Sequence, residues 1–303
     1  MKKVILAIAV ILTASAAGCS QTVIKQCLDS IVTEMYKFVF SYDNEEKNIL
    51  EIRYRWNEET NNWKEEVKSE YTYDINGNEI GFIGYNWYSV TNDWEISFKS
   101  EHTYDNNGNQ TMHIMYDWDS AIKDWEKITE KRKYENTYDS NNNLTMTVLY
   151  RWDYKKKKFC KTETETKYTY NNEGYTAIYI CHEWSHPFKI ESTWDINGNL
   201  IKKNFYGEVG IVKDEYTYDD NGNQILAIVY KWDEKTKNRI WYEKTEYIFN
   251  PFKTDLIKPA GRYVGTNMLK EEIKYKWSGT EWEQEDVTTY YWSPKEISTE
   301  NKK

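Results

Sequence analysis

The sequence predicts an all-β fold: an extended antiparallel β-meander built of β-hairpin repeats of about 32 residues, with a short N-terminal helix. Two recurring motifs and the composition support this prediction. The chain has 303 residues, of which 39% are hydrophobic and 17% aromatic. Such a polar chain cannot build a thick aliphatic core. Tyr and Trp can instead cover a thin sheet while their polar atoms stay exposed to water.

The first motif is a turn. Clear copies occupy Tyr71–Asn78, Thr103–Asn109, Thr193–Asn199 and Tyr216–Asn223, and weaker copies begin at Thr137, Tyr168 and Tyr247. Asn-Gly between alternating apolar residues predicts a hairpin with a type I′ turn, whose two central residues both need positive φ. Asp74, ahead of Asn76 and Gly77, is expected to accept hydrogen bonds from backbone amides across the turn. We call this the near turn.

The second motif is Tyr-x-Trp at the end of the strand that leaves the near turn. It occurs at Tyr54/Trp56, Tyr85/Trp87, Tyr116/Trp118, Tyr150/Trp152, Tyr230/Trp232 and Tyr275/Trp277. A polar stretch follows, and an aromatic residue then starts the return strand: Trp63, Trp94, Trp125, Phe159, Trp241 or Trp282. The polar stretch is therefore predicted to be an opposite, longer turn, which we call the far turn.

Period-two alternation assigns the faces of each strand. Met112, Ile114, Tyr116 and Trp118 share one face of their strand, whereas return strands such as residues 161–167 have almost nothing to bury. Much of the sheet is therefore expected to be wet, with cross-strand pairs of Tyr, Thr, Lys and Glu stabilising it.

The chain ends differ from the repeats. Apolar residues recur at helical spacing between Thr22 and Tyr36, which predicts a short amphipathic helix that caps the first strand pair. The resulting organisation is a signal peptide at 1–18, a helical cap at 19–36, a repeat domain at 37–292 and a flexible tail at 293–303.

The N-terminus carries an export signal. Met1-Lys2-Lys3 is positive, Val4–Leu12 is apolar but too short to span a bilayer, and small residues follow. Ala14-Ser15-Ala16 fits ordinary signal peptidase, whereas Ala16-Ala17-Gly18-Cys19 is similar to a lipobox in which Cys19 is lipidated. The sequence predicts a cell-envelope protein, an outer-membrane lipoprotein, and leaves its periplasmic or surface face open.

The charge of the chain narrows the classes of partner that the protein could bind. The net charge of −9, with Lys and Glu interleaved, argues against nucleic acid, whose binders need a basic stripe. An outer-membrane barrel is disfavoured, because neither face of residues 63–73 or 161–167 could meet hydrocarbon. Membrane contact is expected only through an N-terminal lipid anchor, and a cell-surface glycan or protein is a possible partner.

Three motifs could carry chemistry. His182-Glu183-Trp184-Ser185-His186 matches a zinc-protease pattern, but it occupies a strand end, where residues four apart cannot share one metal. Asp74-x-Asn76-Gly77-Asn78 could hold calcium, but turn chemistry also explains it. Cys160 and Cys181 lie on the two arms of one hairpin, either as a disulfide or as two small half-buried thiols.

Exposed aromatic residues are the remaining candidates. Ligand-stacking side chains are predicted at Trp56, Trp87, Trp118, Trp152 and Trp232. They would stack on sugar rings or contact a protein, unless they only cover the sheet. The sequence predicts no catalytic residue, no metal and no cofactor.

The Tyr-Thr-Tyr-Asp-x-x-Gly-Asn array with interleaved Trp resembles the tyrosine-aspartate repeats of exported Bacteroidota repeat lipoproteins, and more distantly the Rhs-type repeats of polymorphic toxins. The resemblance covers residues of about 40 to 292. It implies a repeat scaffold and little about activity. We expect a non-enzymatic exported protein that acts as a structural, adhesive or binding scaffold in the cell envelope, or alternatively a glycan-binding module for polysaccharide capture.

Overall fold

The computed structural model describes residues 21–181, 187–208, 210–251, 255–258 and 267–299, which form nineteen β-strands. The strands are β1 (Gln21–Val32), β2 (Tyr36–Tyr42), β3 (Asn48–Asn57), β4 (Asn62–Tyr73), β5 (Glu79–Tyr88), β6 (Asp93–Tyr104), β7 (Gln110–Asp119), β8 (Asp124–Tyr138), β9 (Leu144–Asp153), β10 (Lys158–Asn171), β11 (Gly174–Cys181), β12 (Phe188–Asp195), β13 (Leu200–Gly207), β14 (Gly210–Tyr218), β15 (Gln224–Asp233), β16 (Asn238–Phe249), β17 (Leu256–Ile257), β18 (Leu269–Trp277) and β19 (Trp282–Thr299). The all-β prediction is confirmed. No helix long and apolar enough to cross a membrane occurs in these ranges.

The sheet closes on itself. Strands β2 to β16 pair antiparallel with their chain neighbours, β16 pairs with β18, and β18 pairs with β19. β1 joins the two ends, because it pairs with β19 on one side and, at Ser30–Val32, with β2 on the other. Eighteen of the described strands thus form a closed barrel, and β17 adds to β1 in parallel. The predicted extended meander of hairpin repeats is wrong, since closure removes the open sheet edges that an extended array would keep.

The predicted N-terminal helix at 19–36 is also wrong, because Gln21–Val32 is a strand. A bulge between Leu28 and Ser30 explains the error. Leu28 pairs with Trp292 and Ile31 with Tyr290, so the inserted residue puts two side chains three positions apart on one face. A spacing of three is otherwise typical of a helix.

The predicted flexible tail begins too early. Ser293–Thr299 continue β19 and pair residue by residue with Gln21–Cys27. The seam of β1, β2 and β19 holds the main apolar core of the described chain: Leu28 is 0% exposed and packs with Ile31 and Phe40. The edge that the sequence assigned to a helical cap is therefore covered by strand pairing.

The near turns are present, but not as type I′ turns. In the first turn, Gly77 N–H donates to the Asp74 carbonyl at 3.0 Å, and Asp74 N–H donates to the Asn78 carbonyl at 2.9 Å. Gly77 has a positive φ of 86°, whereas Asn76 does not have a positive φ. This is a three-residue loop, a type I turn followed by a left-handed residue, which leaves a bulge in the next strand.

A near turn without glycine joins β2 to β3, and the sequence reading missed it. Asp43 N–H donates to the Lys47 carbonyl at 3.0 Å, and Glu46 takes the left-handed position with φ 68°. Asp43 Oδ1 accepts the amides of Glu45 and Lys47, as Asp74 does for Asn76 and Asn78. The aspartate is the signal that the two turns share.

The strands form a single sheet. In β7, for example, all ten residues are half-buried, whichever face of the strand they lie on. Both faces of the strands are therefore partly wet, as the polar return strands predicted.

Candidate functional site

One face of the sheet carries the Tyr-x-Trp motifs, and we call it the Trp face. Strand register places Trp56, Trp87, Trp118 and Trp152 on this face at the far turns of β3, β5, β7 and β9. Trp232 holds the same position on β15, beyond five intervening strands. The structure therefore brings four of the five predicted aromatics into one row and leaves Trp232 apart.

Each tryptophan of the row packs edge-to-face against the aromatic residue that starts the return strand. The ring centroids of Trp56/Trp63, Trp87/Trp94, Trp118/Trp125 and Trp152/Phe159 lie 5.0–5.1 Å apart. All four outgoing rings are half-buried. Edge-to-face pairs of this kind add about 0.5–1.5 kcal/mol beyond their burial, so the aromatics stabilise the far turns while leaving part of each ring exposed.

Trp232 has a different neighbourhood. It pairs with Arg239, while Trp241 packs on Tyr230 at 5.7 Å between ring centroids. The Lys213 ammonium lies 4.4 Å from the Trp232 ring centroid. The bulge between Val229 and Tyr230 has a counterpart before Tyr54 in β3, so the two tryptophans are separated by their spacing: Trp241 follows Trp232 by nine residues, whereas Trp63 follows Trp56 by seven.

A ladder of Lys, Glu and Tyr crosses the Trp face next to the aromatic row. In β4 the Lys68 ammonium bonds Glu70 at 2.9 Å, and the Tyr85 hydroxyl donates to the same carboxylate at 2.9 Å. The ammonium also lies 3.9 Å from the Tyr85 ring centroid. The Lys68 hydrogen bond holds the pKa of Glu70 below its usual value, and burial raises the pKa of Tyr85 to about 12.

The ladder repeats, and the sequence reading missed it. The hydroxyl-to-carboxylate bond recurs with an offset of 15 residues at Tyr116/Glu101, Tyr150/Glu135, Tyr206/Glu191 and Tyr230/Glu215. A signal was available, because a Lys-x-Glu triplet such as Lys68-Ser69-Glu70 precedes most near turns. Residues two apart share a strand face, so this triplet predicts an ion pair on one face.

The carboxylates of the near-turn aspartates accept hydrogen bonds from residues of their own turns. Asp74 Oδ1 accepts the amides of Asn76 and Asn78, and Oδ2 accepts Asn78 Nδ2 at 2.9 Å. These bonds, that of the Asn78 side chain first, lower the pKa of Asp74. Within the described ranges, no three His, Cys, Asp or Glu side chains group as metal ligands. The motif at His182–His186 lies outside the described residues, as does Cys19.

The two cysteines of the β10–β11 hairpin do not lie opposite each other. Cys181 pairs with Thr164, while Cys160 pairs with Arg151 of the preceding strand. Cys27, Cys160 and Cys181 are all unbonded. The reading as two small, at least half-buried thiols therefore fits Cys160 and Cys181, and the disulfide does not.

The face opposite the Trp face holds a polar cluster that the sequence reading did not single out. His102 Nε2 lies 2.6 Å from Ser100 Oγ, and His102 Nδ1 lies 3.2 Å from the Glu79 carbonyl and 3.7 Å from its carboxylate. His113 packs edge-to-face on His102 with ring centroids 5.0 Å apart. Ser100 is 2% exposed, so its hydroxyl is closed to a substrate.

This cluster makes stability depend on pH. Burial lowers the pKa of His102, and burial together with the charges of His102 and Arg132 lowers that of His113, although Glu130 opposes this. The unfolded chain takes up these protons near pH 6.5, whereas the folded pair resists them. Stability is therefore lost as the pH falls below about 6.5.

We expect His113→Asn to flatten that loss. Urea unfolding midpoints measured from pH 8 to pH 5 should fall less steeply for the variant than for the natural chain. Measurements at pH 8 serve as the control, since both histidines are then neutral and only packing differs. Parallel curves for the two proteins would show that the pair does not cause the acid sensitivity.

A groove opens on the Trp face between β3 and β8. Its volume is about 750 Å³, within the range of roughly 300–1,000 Å³ typical of small-molecule sites. Gly81 lies in its floor, and Leu50, Ile83, Glu70, Glu101, Lys99 and Trp125 contribute to its lining. The groove is mostly apolar with charged groups beside it, an arrangement suited to binding a small molecule.

Comparison with known proteins gives distant structural likenesses alone. No family model matches the chain, and no curated protein matches it. A DUF3836 family protein from Parabacteroides distasonis is 18% identical, with 30% of this chain and 81% of that chain covered at a TM-score of 0.28. A protein with unknown function from Bacteroides fragilis is 16% identical, with 44% and 91% covered at 0.35.

A porin-like protein from Bacteroides uniformis is 8% identical, with 88% of this chain and 96% of that chain covered at a TM-score of 0.31. All three similar proteins come from Bacteroidota. Similarities at TM-scores this low do not indicate a function for this chain.

Proposed function

We propose that this chain is a non-enzymatic, exported protein of the cell envelope whose closed sheet acts as a structural or binding scaffold. The repeated Lys–Glu–Tyr ladder is the observation that carries this proposal. Its carboxylates and hydroxyls bond one another at a fixed offset of 15 residues from strand to strand. Each carboxylate is thus held by a tyrosine as a structural contact, and the same contact recurs along the sheet.

Charge on both faces supports contact with a membrane through an N-terminal anchor rather than through the barrel wall. Lys68 and Glu70 lie on the Trp face, and an Arg53–Glu66 ion pair of 2.6 Å lies on the opposite face. A lipid-facing barrel wall needs an apolar outer band. The export signal and the resemblance to exported Bacteroidota repeat lipoproteins support the envelope location.

The orientation of β1 is relevant to the anchor. Tyr36 of β2 lies beside Arg55, next to the far turn of β3, so antiparallel β1 ends near the far turns and begins at the opposite end. An anchor on Cys19 would precede Gln21 at that opposite end. The row of tryptophans would then face away from the anchoring membrane.

Localisation and lipid labelling test the proposal. In a Bacteroidota host, the natural chain is expected in the membrane fraction and labelled by alkyne-palmitate, whereas Cys19→Ala should be unlabelled and released. A deletion strain should be more sensitive to detergent, and the natural chain should restore its resistance. Recovery of the chain in the cytoplasm, or a deletion strain with an unchanged envelope, would contradict the scaffold role.

A second candidate function is glycan binding, which the row of half-exposed tryptophans beside carboxylates favours. Aromatic faces stack on sugar rings, and neighbouring carboxylates accept hydrogen bonds from hydroxyl groups. Trp87→Ala would weaken glycan binding if the row is the site, whereas Trp232→Ala, outside the row, would not. No saccharide binding, with unchanged tryptophan fluorescence, would exclude this function.

A further inference from the structure

The groove on the Trp face lies where a repeated side chain is missing. In β3, β7, β9 and β15 an apolar residue stands two positions before the Ile or Val of the outgoing strand: Leu50, Met112, Met146 and Leu226. In β5 that position is Gly81, which pairs with Thr72 as Met146 pairs with Thr137. Among these five strands, Gly81 alone leaves this position without a side chain.

The gap is fixed by the backbone. A Cβ on Gly81 would lie 2.3 Å from the Ser100 carbonyl oxygen of the neighbouring strand. No side chain fits there without a shift of β5 or β6, so the floor of the groove is held open by strand pairing and does not depend on a rotamer. A preformed cavity of this kind costs little reorganisation when a ligand binds.

Two carboxylates stand at the walls of the groove. They can accept hydrogen bonds, and each is neutralised by a neighbouring lysine. Glu70 and Glu101 lie on β4 and β6, two strand spacings or about 9.5 Å apart. Each carboxylate is ion-paired, Glu70 with Lys68 at 2.9 Å and Glu101 with Lys99 at 2.7 Å. Their side chains are 46% and 48% exposed, so the carboxylates can accept further hydrogen bonds from a ligand.

The lining of the groove indicates which class of ligand it would bind. The apolar lining from Leu50, Ile83 and Trp125 suits the carbon face of a pyranose ring, and the carboxylates on both walls suit its hydroxyl donors. Because each carboxylate is already neutralised by a lysine, neither a cationic nor an anionic sugar gains a charge partner. We propose that the groove above Gly81 binds a short neutral oligosaccharide, an inference that rests on the glycan-binding function.

A matched pair of substitutions tests this site. Thr72 faces the groove, and Thr137 holds the same position in the β8–β9 repeat, where Met146 fills the row. The natural chain is screened on an array of neutral, acidic and amino-sugar glycans, and its strongest neutral ligand is titrated by calorimetry. Thr72→Trp, which fills the groove, should lower the affinity at least about tenfold, whereas Thr137→Trp should leave it unchanged.

Thr72→Trp also removes a structural hydrogen bond, which Thr72 Oγ1 donates to the Gly81 carbonyl at 3.0 Å. A second pair of substitutions therefore tests the groove without this loss. Glu101→Gln keeps the side-chain size and should weaken binding about tenfold, while Glu135→Gln, in the same ladder away from the groove, should not. Circular dichroism and the unfolding midpoint confirm that each variant is folded.

The outcomes separate the groove from the wider function. Binding that Trp87→Ala abolishes but Thr72→Trp and Glu101→Gln leave intact would refute the groove and keep glycan binding on the aromatic row. Equal losses in the groove variants and in their matched controls would likewise refute the groove. Binding to charged glycans alone, or to none, would overturn the proposal, whereas the localisation experiment would still decide the scaffold role.

Discussion

Leu28→Ala is expected to lower the free energy of unfolding by about 3 kcal/mol, within the 2–5 kcal/mol measured for buried leucines. Leu28 is 0% exposed and packs with Ile31 and Phe40 at the seam. Its own carbonyl accepts the Tyr42 hydroxyl at 2.9 Å. The rest of the sheet is thin, so the neighbours cannot easily collapse into the cavity.

Urea unfolding followed by circular dichroism measures this loss. Ile24→Ala provides the control, because Ile24 is on the same strand but 55% exposed, and its truncation should change stability by less than about 0.5 kcal/mol. Equal midpoints for Leu28→Ala and Ile24→Ala would show that the seam does not hold the barrel closed.

Gly174→Ala is expected to cost about 3 kcal/mol or more, since positive-φ strain and a backbone clash act together. Gly174 starts β11 with φ +144°, and an added Cβ would lie 2.0 Å from the Trp194 carbonyl oxygen. That oxygen belongs to the paired strand β12, so a methyl group would push the two strands apart. Thermal unfolding should show a clearly lowered midpoint.

Gly198 in a near turn provides the contrast. It also has positive φ, +81°, but nothing lies within 4 Å of an added Cβ. Asn142 occupies the equivalent position of another near turn with φ 66°. Gly198→Asn should therefore cost less than about 0.5 kcal/mol. A similar loss in both variants would mean that φ alone, and not the contact with Trp194, sets the cost at Gly174.

Predictions that depend on contacts between residues close together in the sequence agree well with the structure. Asp74 and Gly77 encode a turn through bonds closed within five residues, so its place was predictable, although its type was not. Trp87 and Trp94 meet because the far turn returns the chain beside itself. Trp232 is the exception, because Trp241 follows it by nine residues instead of seven and the return strand places Arg239 opposite it.

Other features depend on which strands become neighbours. Lys68-Ser69-Glu70 is visible in the sequence, but the Tyr85 that completes the ladder is recognisable as its partner only once β4 pairs with β5. The groove depends on the lack of a side chain at Gly81 relative to equivalent positions in other repeats. Its lining combines residues from Leu50 to Trp125, which no local pattern connects.

The sequence by itself determined an all-β chain, the places of the strands and turns, and the aromatic pairs at the far turns. Tertiary structure alone decided that the sheet closes, because closure depends on pairing between the chain's two ends, with Ser293 bonding Asp29 at 2.9 Å. Twist accumulated over many strands brings β19 to β1. β1 pairs with both β19 and β2, and the bulge at Asp29 gives this strand the apolar spacing of a helix.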